Sequence, residues 1–114
     1  MITIDKLKEL GAHTDEGLNR CMDDEEFYLS LVPSAFEKER YDALSSQIAA
    51  KDYASAFETA HALKGVLSNL ALSPLSDTLG EMTELLRSDT DTDYAPLVDK
   101  MWEQFDKYYK AVNE

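Results

Sequence analysis

Three features of this 114-residue sequence predict an all-α fold, an antiparallel four-helix bundle with short additional N-terminal helices. Apolar residues recur at helical spacing through most of the chain, and no β-hairpin signal interrupts them. Start and stop residues, among them Gly11, Asp24, Pro33, Pro74 and the run Ser88 to Asp93, divide the sequence at intervals. Four of the segments so divided are long and joined by short connections, the pattern of a helical bundle.

Each element has its own signals. A short first helix runs from about Ile4 to Leu10, where Gly11 stops it. Thr14 begins a turn of helix carrying Leu18, Cys21 and Met22. Asp23 or Asp24 then caps a long helix with Glu25 and Glu26 in its first turn, where the macrodipole favours negative charge. Pro33 falls inside that pattern and should kink or restart it. Phe36, Tyr41, Leu44 and Ile48 resume the period to about Ala50. Lys51-Asp52 turns the chain into a helix spanning about Tyr53 to Leu70. Ser73-Pro74 offers the next helix a cap and a first-position proline, and that helix ends near Arg87. The polar run Ser88-Asp89-Thr90-Asp91-Thr92-Asp93 is a loop. The last helix, about Tyr94 to Val112, carries Leu97, Met101, Trp102, Phe105, Tyr108 and Tyr109, a stripe read as the fourth wall of the bundle.

Composition narrows the function classes. The length fits one domain over residues 1–114 with a modest core. With 11 basic against 23 acidic residues the formal net charge is −12, which disfavours nucleic acid and anionic membranes as partners. No apolar run approaches the length of a membrane span, and the N-terminus has no signal-peptide pattern. The single cysteine, Cys21, cannot form an internal disulfide and fits a reducing compartment, so the expected location is cytoplasmic. The initiating Met1 is what a free-standing protein would carry.

The chemistry concentrates in His61-Ala62-Leu63-Lys64-Gly65. At about 100° per helical residue, Ala56, Ala60, Leu63, Leu67 and Leu70 form one apolar stripe, with His61 on the opposite, water-facing side. Lys64 (i+3) and Gly65 (i+4) flank the histidine one turn on. A neutral imidazole, with an ordinary pKa of about 6.5, is a nucleophile near neutral pH and can be covalently phosphorylated. A nearby ammonium offsets the incoming charge. Gly65 costs a mid-helix position about 1 kcal/mol relative to alanine, which suggests close approach to the backbone from outside or from a neighbouring helix. By the same geometry Ala54, Phe57, Ser68 and Leu72 surround His61 and, with Glu58, form the expected partner-binding face, Phe57 being either its aromatic anchor or partly buried against a neighbouring helix.

Rival chemistries fit less well. Glu58-Thr59-Ala60-His61 has the Glu-x-x-His spacing of bundle di-iron sites, but those need a second such motif and inward-facing ligands. The other histidine, His13, has Leu10 in the corresponding place. The alternating aspartates at 89, 91 and 93 lack the glycine and glutamate of a calcium loop, so no metal site is expected. No phosphate-binding glycine loop is present, so no nucleotide site is expected either.

Ala60-His61-Ala62-Leu63-Lys64-Gly65, followed by Asn69-Leu70, resembles the H-x-L-K-G signature of histidine-containing phosphotransfer (HPt) domains. The similarity extends to Asp15 to Arg20, Asp24 to Tyr28, Lys51-Asp52-Tyr53, and Leu72, Leu75 and Leu79, covering about residues 14–112. Where relatives often have a small residue after the glycine and a second glycine six positions on, this chain has Val66 and Ala71.

The resemblance implies a phosphoryl carrier rather than an enzyme with a nucleotide site. His61 would be the phosphoacceptor, Lys64 its charge partner and Gly65 the gap that admits the phosphoryl group. Donors and acceptors would be aspartates of response-regulator receiver domains, or a sensor or hybrid histidine kinase. Mg²⁺ would reside on the partner receiver, with no cofactor on this chain, which would be a monomer. Relatives often place a polar side chain from the next helix against the histidine ring. Thr83 is the matching position, with Glu81 and Glu84 as further candidates. The alternative expectation is an adaptor bundle that binds receiver domains or other signalling proteins without carrying phosphate.

Overall fold

The computed structural model describes residues 2–113, and every regular element among them is helical. Helix α1 (Ile4–Leu10) begins where Thr3 Oγ1 accepts the Lys6 N–H at 3.1 Å and ends at Gly11, whose φ of +104° suits a residue without a side chain. Helix α2 (Thr14–Arg20) follows, then α3 (Glu25–Leu31), capped by Asp24, whose Oδ1 accepts the Phe27 N–H at 3.1 Å. Pro33 does restart the chain: Val32–Phe36 is a 3₁₀ turn, Glu37 is extended, and α4 (Lys38–Ala49) begins anew. The long helix expected from residue 24 onward is therefore two helices with a break between them.

Asp52 caps α5 (Tyr53–Asn69) through the Ser55 N–H at 3.4 Å. Helix α6 (Leu75–Arg87) starts differently from the sequence expectation. Pro74 occupies the cap position rather than the first helical one, and the Ser73 hydroxyl pairs with that of Ser76 at 3.2 Å instead of capping. After the acidic loop, α7 (Ala95–Val112) completes the chain.

Packing follows from which faces are apolar. Helix α5 buries Ala56, Ala60, Leu63 and Leu67, and lies against α4 and α6, while α6 packs on α7. An aromatic cluster joins α7 back to α4 and the 3₁₀ turn. Tyr41 and Phe105 ring centroids are 4.4 Å apart, Phe36 stacks on Tyr108 at 5.1 Å, and Trp102 Nε1 donates to Ser45 Oγ at 3.0 Å. Tyr109 sits at the edge of this stripe, partly in water and stacked on Phe105. One continuous core runs from Ile2 to Ala111. Met22, expected on an apolar helical face, is instead 89% exposed, because the chain turns at Met22 and Asp23 with φ of +59° at both.

The N-terminal helices hold the far end of α5. His13 N–H donates to the Ala71 carbonyl at 2.9 Å, Tyr28 Oη to the Leu70 carbonyl at 2.7 Å, and Arg20 Nη1 to the Ser68 carbonyl at 2.5 Å. The first two satisfy carbonyls just beyond the end of α5, and Arg20 adds a donor to a Ser68 carbonyl that already accepts the Ala71 N–H. Gly17 makes the approach possible, since a Cβ there would meet the Tyr28 ring at 2.5 Å and the Leu70 oxygen at 2.7 Å. Ala71 takes φ of +54° at the turn into α6, a left-handed conformation that costs a residue with a side chain about 1–2 kcal/mol. The glycine that relatives often carry here would avoid that cost.

Two stability predictions follow. Ala71→Gly should raise the unfolding free energy by about 0.5–1 kcal/mol, measured by urea denaturation, because relief of the left-handed strain exceeds the added flexibility of the unfolded chain. Tyr28→Phe should cost about 1–2 kcal/mol by leaving the buried Leu70 carbonyl without its donor. Burial, with a smaller contribution from Cys21, pushes the Tyr28 hydroxyl up to about 12. It stays protonated in the folded state while the unfolded chain ionises near pH 10. Its contribution is thus fully present below pH 10 and is lost as the pH rises toward 12. Denaturation at pH 8 and pH 11 should therefore show a smaller alkaline loss in Tyr28→Phe than in wild type.

Candidate functional site

The exposed side of α5 is fixed by the buried one. With Ala60 and Leu63 facing the core, His61 is exposed and its neighbours on that surface are Ala54, Phe57, Glu58, Lys64, Gly65 and Ser68. Ala54, Glu58 and Gly65 are exposed, while Phe57, Lys64 and Ser68 are half-buried. The Phe57 and His61 rings lie 5.5 Å apart at a tilt of 43°. The Arg87 guanidinium sits 5.2 Å from the Phe57 centroid and pairs with Glu84 at 3.5 Å. Phe57 is therefore packed on one side and presented beside the histidine on the other.

Lys64 crosses toward α6. A Cβ at Gly80 would stand 3.8 Å from Lys64 Cε, ordinary van der Waals contact, so the lysine stem lies along α6 where that helix has no side chain. Lys64 forms no ion pair among the described residues, so no carboxylate neutralises its ammonium. Contacts of Phe57 with Arg87 and of Lys64 with Gly80 show α5 and α6 running in opposite directions. Gly65 settles a choice the sequence leaves open. A Cβ there would meet nothing within 4 Å, so no neighbouring helix requires the glycine, and the gap faces solvent.

Two expected members of this surface are not on it. Leu72 is fully buried, because α5 ends at Asn69 and the left-handed turn at Ala71 takes the chain off the helical path used to place it. Thr83 is also fully buried, and its hydroxyl donates to the Leu79 carbonyl of its own helix at 2.6 Å. It does not reach a partner, and the ring against His61 is that of Phe57. Glu81 and Glu84 are exposed, and Glu84 is engaged with Arg87. Val66 is half-buried and packed against the core.

The acidic loop has structural uses. The Asp91 carboxylate accepts from Tyr53 Oη at 2.9 Å and lies 3.6 Å from Lys51 Nζ, and Asp93 accepts the Ala95 N–H at 3.0 Å. Among the described residues no group of three or more His, Cys, Asp or Glu side chains is placed to hold a metal ion. Among the described residues no helix is long and apolar enough to cross a membrane.

A family model described as the Hpt domain matches residues 37–114. The chain belongs to the Hpt domain family. That family comprises phosphocarrier modules of two-component signalling rather than conventional enzymes. The matched region holds α4 to α7 and with them His61, Lys64 and Gly65; residues 2–36 of the described chain precede it. No curated protein and no solved structure matches the chain significantly. Sequence reasoning missed Gly80 and Arg87, whose relevance depends on how α6 lies against α5.

Since Gly65 is exposed, mid-helix and free of steric demand, Gly65→Ala should stabilise the fold by about 1 kcal/mol in urea denaturation. A decrease would show that the glycine serves the fold.

Proposed function

We propose that this chain carries a phosphoryl group on His61 between aspartates of receiver domains in a phosphorelay. The observation that carries the reading is the solvent-facing gap at Gly65 beside an exposed imidazole and an unneutralised lysine. An unprotonated nitrogen of His61 attacks the phosphorus of a receiver's aspartyl phosphate. The N–P bond forms, the P–O bond breaks, and the aspartate leaves as carboxylate with the bonding pair. Return to a second receiver reverses these steps. Lys64 balances the charge on the phosphoryl oxygens, and the absence of a side chain at Gly65 lets the partner's acidic pocket come close to the helix.

Ala54, Phe57, Glu58 and Ser68 form the docking surface around the acceptor in this reading, with Phe57 as its apolar anchor. Mg²⁺ and its carboxylates belong to the receiver, and a sensor or hybrid kinase supplies the phosphate upstream. The chain works as a single cytoplasmic domain, a monomer built as an antiparallel four-helix bundle of α4 to α7 with α1 to α3 attached.

The test is transfer from a panel of phosphorylated receiver domains to the purified protein, wild type against His61→Gln. Acid-labile, base-stable label should appear on the wild type alone. Receiver binding without label from any active donor would favour the adaptor alternative. In the same assay Gly65→Ala should lower kcat/KM at least tenfold despite its greater stability, by obstructing the approach. Transfer by Gly65→Ala at the wild-type rate would remove the gap from the mechanism.

A further inference from the structure

We propose that the receiver-docking surface continues from α5 onto the corner between α2 and α3, where Arg20 and Met22 help select the partner. This rests on His61 being the phosphoacceptor.

Position is the first support. Ser68 follows His61 by seven residues, which returns it to the same face about 10 Å along the axis. Arg20 Nη1 is bonded to the Ser68 carbonyl, so the end of α2 lies beside that face. A partner interface of ordinary size covers about 800 Å² on each side, a disc of roughly 16 Å radius. Centred on His61, such a disc takes in Arg20. A receiver that brings its aspartate to His61 therefore reaches Arg20, and Met22 follows two residues on.

Exposure and backbone conformation are the second. Met22 is 89% exposed and Phe27 is 49% exposed, and both belong to this corner. Met22 and Asp23 each hold φ near +59°, a conformation unfavourable for residues with side chains. The corner is nonetheless well anchored: Asp23 N–H donates to the Leu18 carbonyl at 2.7 Å, and Tyr28 fastens α3 to the end of α5. An apolar side chain is thus displayed in water on a rigid turn, and no buried contact of Met22 accounts for it. Flexible, polarisable methionine suits an interface.

Charge identifies the occupant. In a chain of net charge −12, Arg20 and Lys64 are cations near His61, while the exposed Asp23, Asp24, Glu25 and Glu26 follow Met22 directly in the chain. The complementary partner has an acidic centre and a basic rim. A receiver domain supplies the acidic centre in its phosphorylation pocket, and those with basic residues beside that pocket are the ones selected. The corner precedes residues 37–114, the part of the chain that the family model matches.

The experiment compares wild type, Met22→Ser and Arg20→Glu in two reactions. One is transfer from the best receiver donor of the panel. The other is phosphorylation by phosphoramidate, in which a His61 nitrogen displaces ammonia from phosphorus and no docking is involved. Both variants should react with phosphoramidate as wild type does, while kcat/KM with the receiver falls three- to tenfold through KM. Met22 is so exposed that its substitution leaves the fold intact, and unchanged thermal unfolding would verify this. Receiver transfer by Met22→Ser at the wild-type kcat/KM overturns the proposal, as does an equal loss with both donors. A wild-type protein that accepts from phosphoramidate but from no receiver also overturns it. One that accepts from neither removes the phosphoacceptor reading beneath it.

Discussion

Helix α5 is fixed in rotation by Ala56, Ala60, Leu63 and Leu67, none more than 1% exposed, and the site depends on that constraint. A turn of one residue, about 100°, would carry these side chains out of the core and bring charged or polar ones in. Removing a single buried leucine from such a stripe typically costs 2–5 kcal/mol, so the register of the helix is strongly held. His61 lies opposite the stripe and is in water for the same reason that Leu63 is not. Its neighbours at three and four residues follow without further specification.

Other contacts hold the ends and flanks of that helix. Asp52 caps its start, while Tyr28, His13 and Arg20 supply donors to carbonyls at and beyond its end. The stem of Lys64 lies beside the bare backbone of Gly80, and Phe57 packs between His61 and Arg87. The chain thus places an exposed imidazole, a cation and a gap on one helix face. In the proposed reading, such a minimal site suits a group handed between partners that bring the remaining chemistry.

Much of this was legible in the sequence, for identifiable reasons. Helices α1, α5 and α7 lie close to their expected bounds, because Gly11, Asp52 and the acidic loop are strong local punctuation. The apolar stripe of α5 is buried as its period requires, and the residue pattern of His61, Lys64 and Gly65 led to the family later matched. The failures come where local rules stop applying. Leu72 falls on the His61 face only if the helix continues past Asn69, and the left-handed Ala71 breaks that path. Thr83 faces the histidine only by resemblance to relatives, whereas its hydroxyl bonds within its own turn. Met22 has helical spacing from Leu18 but lies beyond the end of α2. Gly80 and Arg87 gain meaning only from the packing of α6 on α5, which no local pattern encodes.

The decisive measurement is nuclear magnetic resonance of phosphorylated protein carrying nitrogen-15 in its imidazole rings. With only two histidines in the chain, a phosphorus–nitrogen coupling locates the bond without substitution of any residue. Coupling to a ring nitrogen of His61, with His13 unmodified, is the predicted result. Phosphorus coupled to His13, or found on a carboxylate or hydroxyl instead, would contradict the assignment of His61 as the carrier.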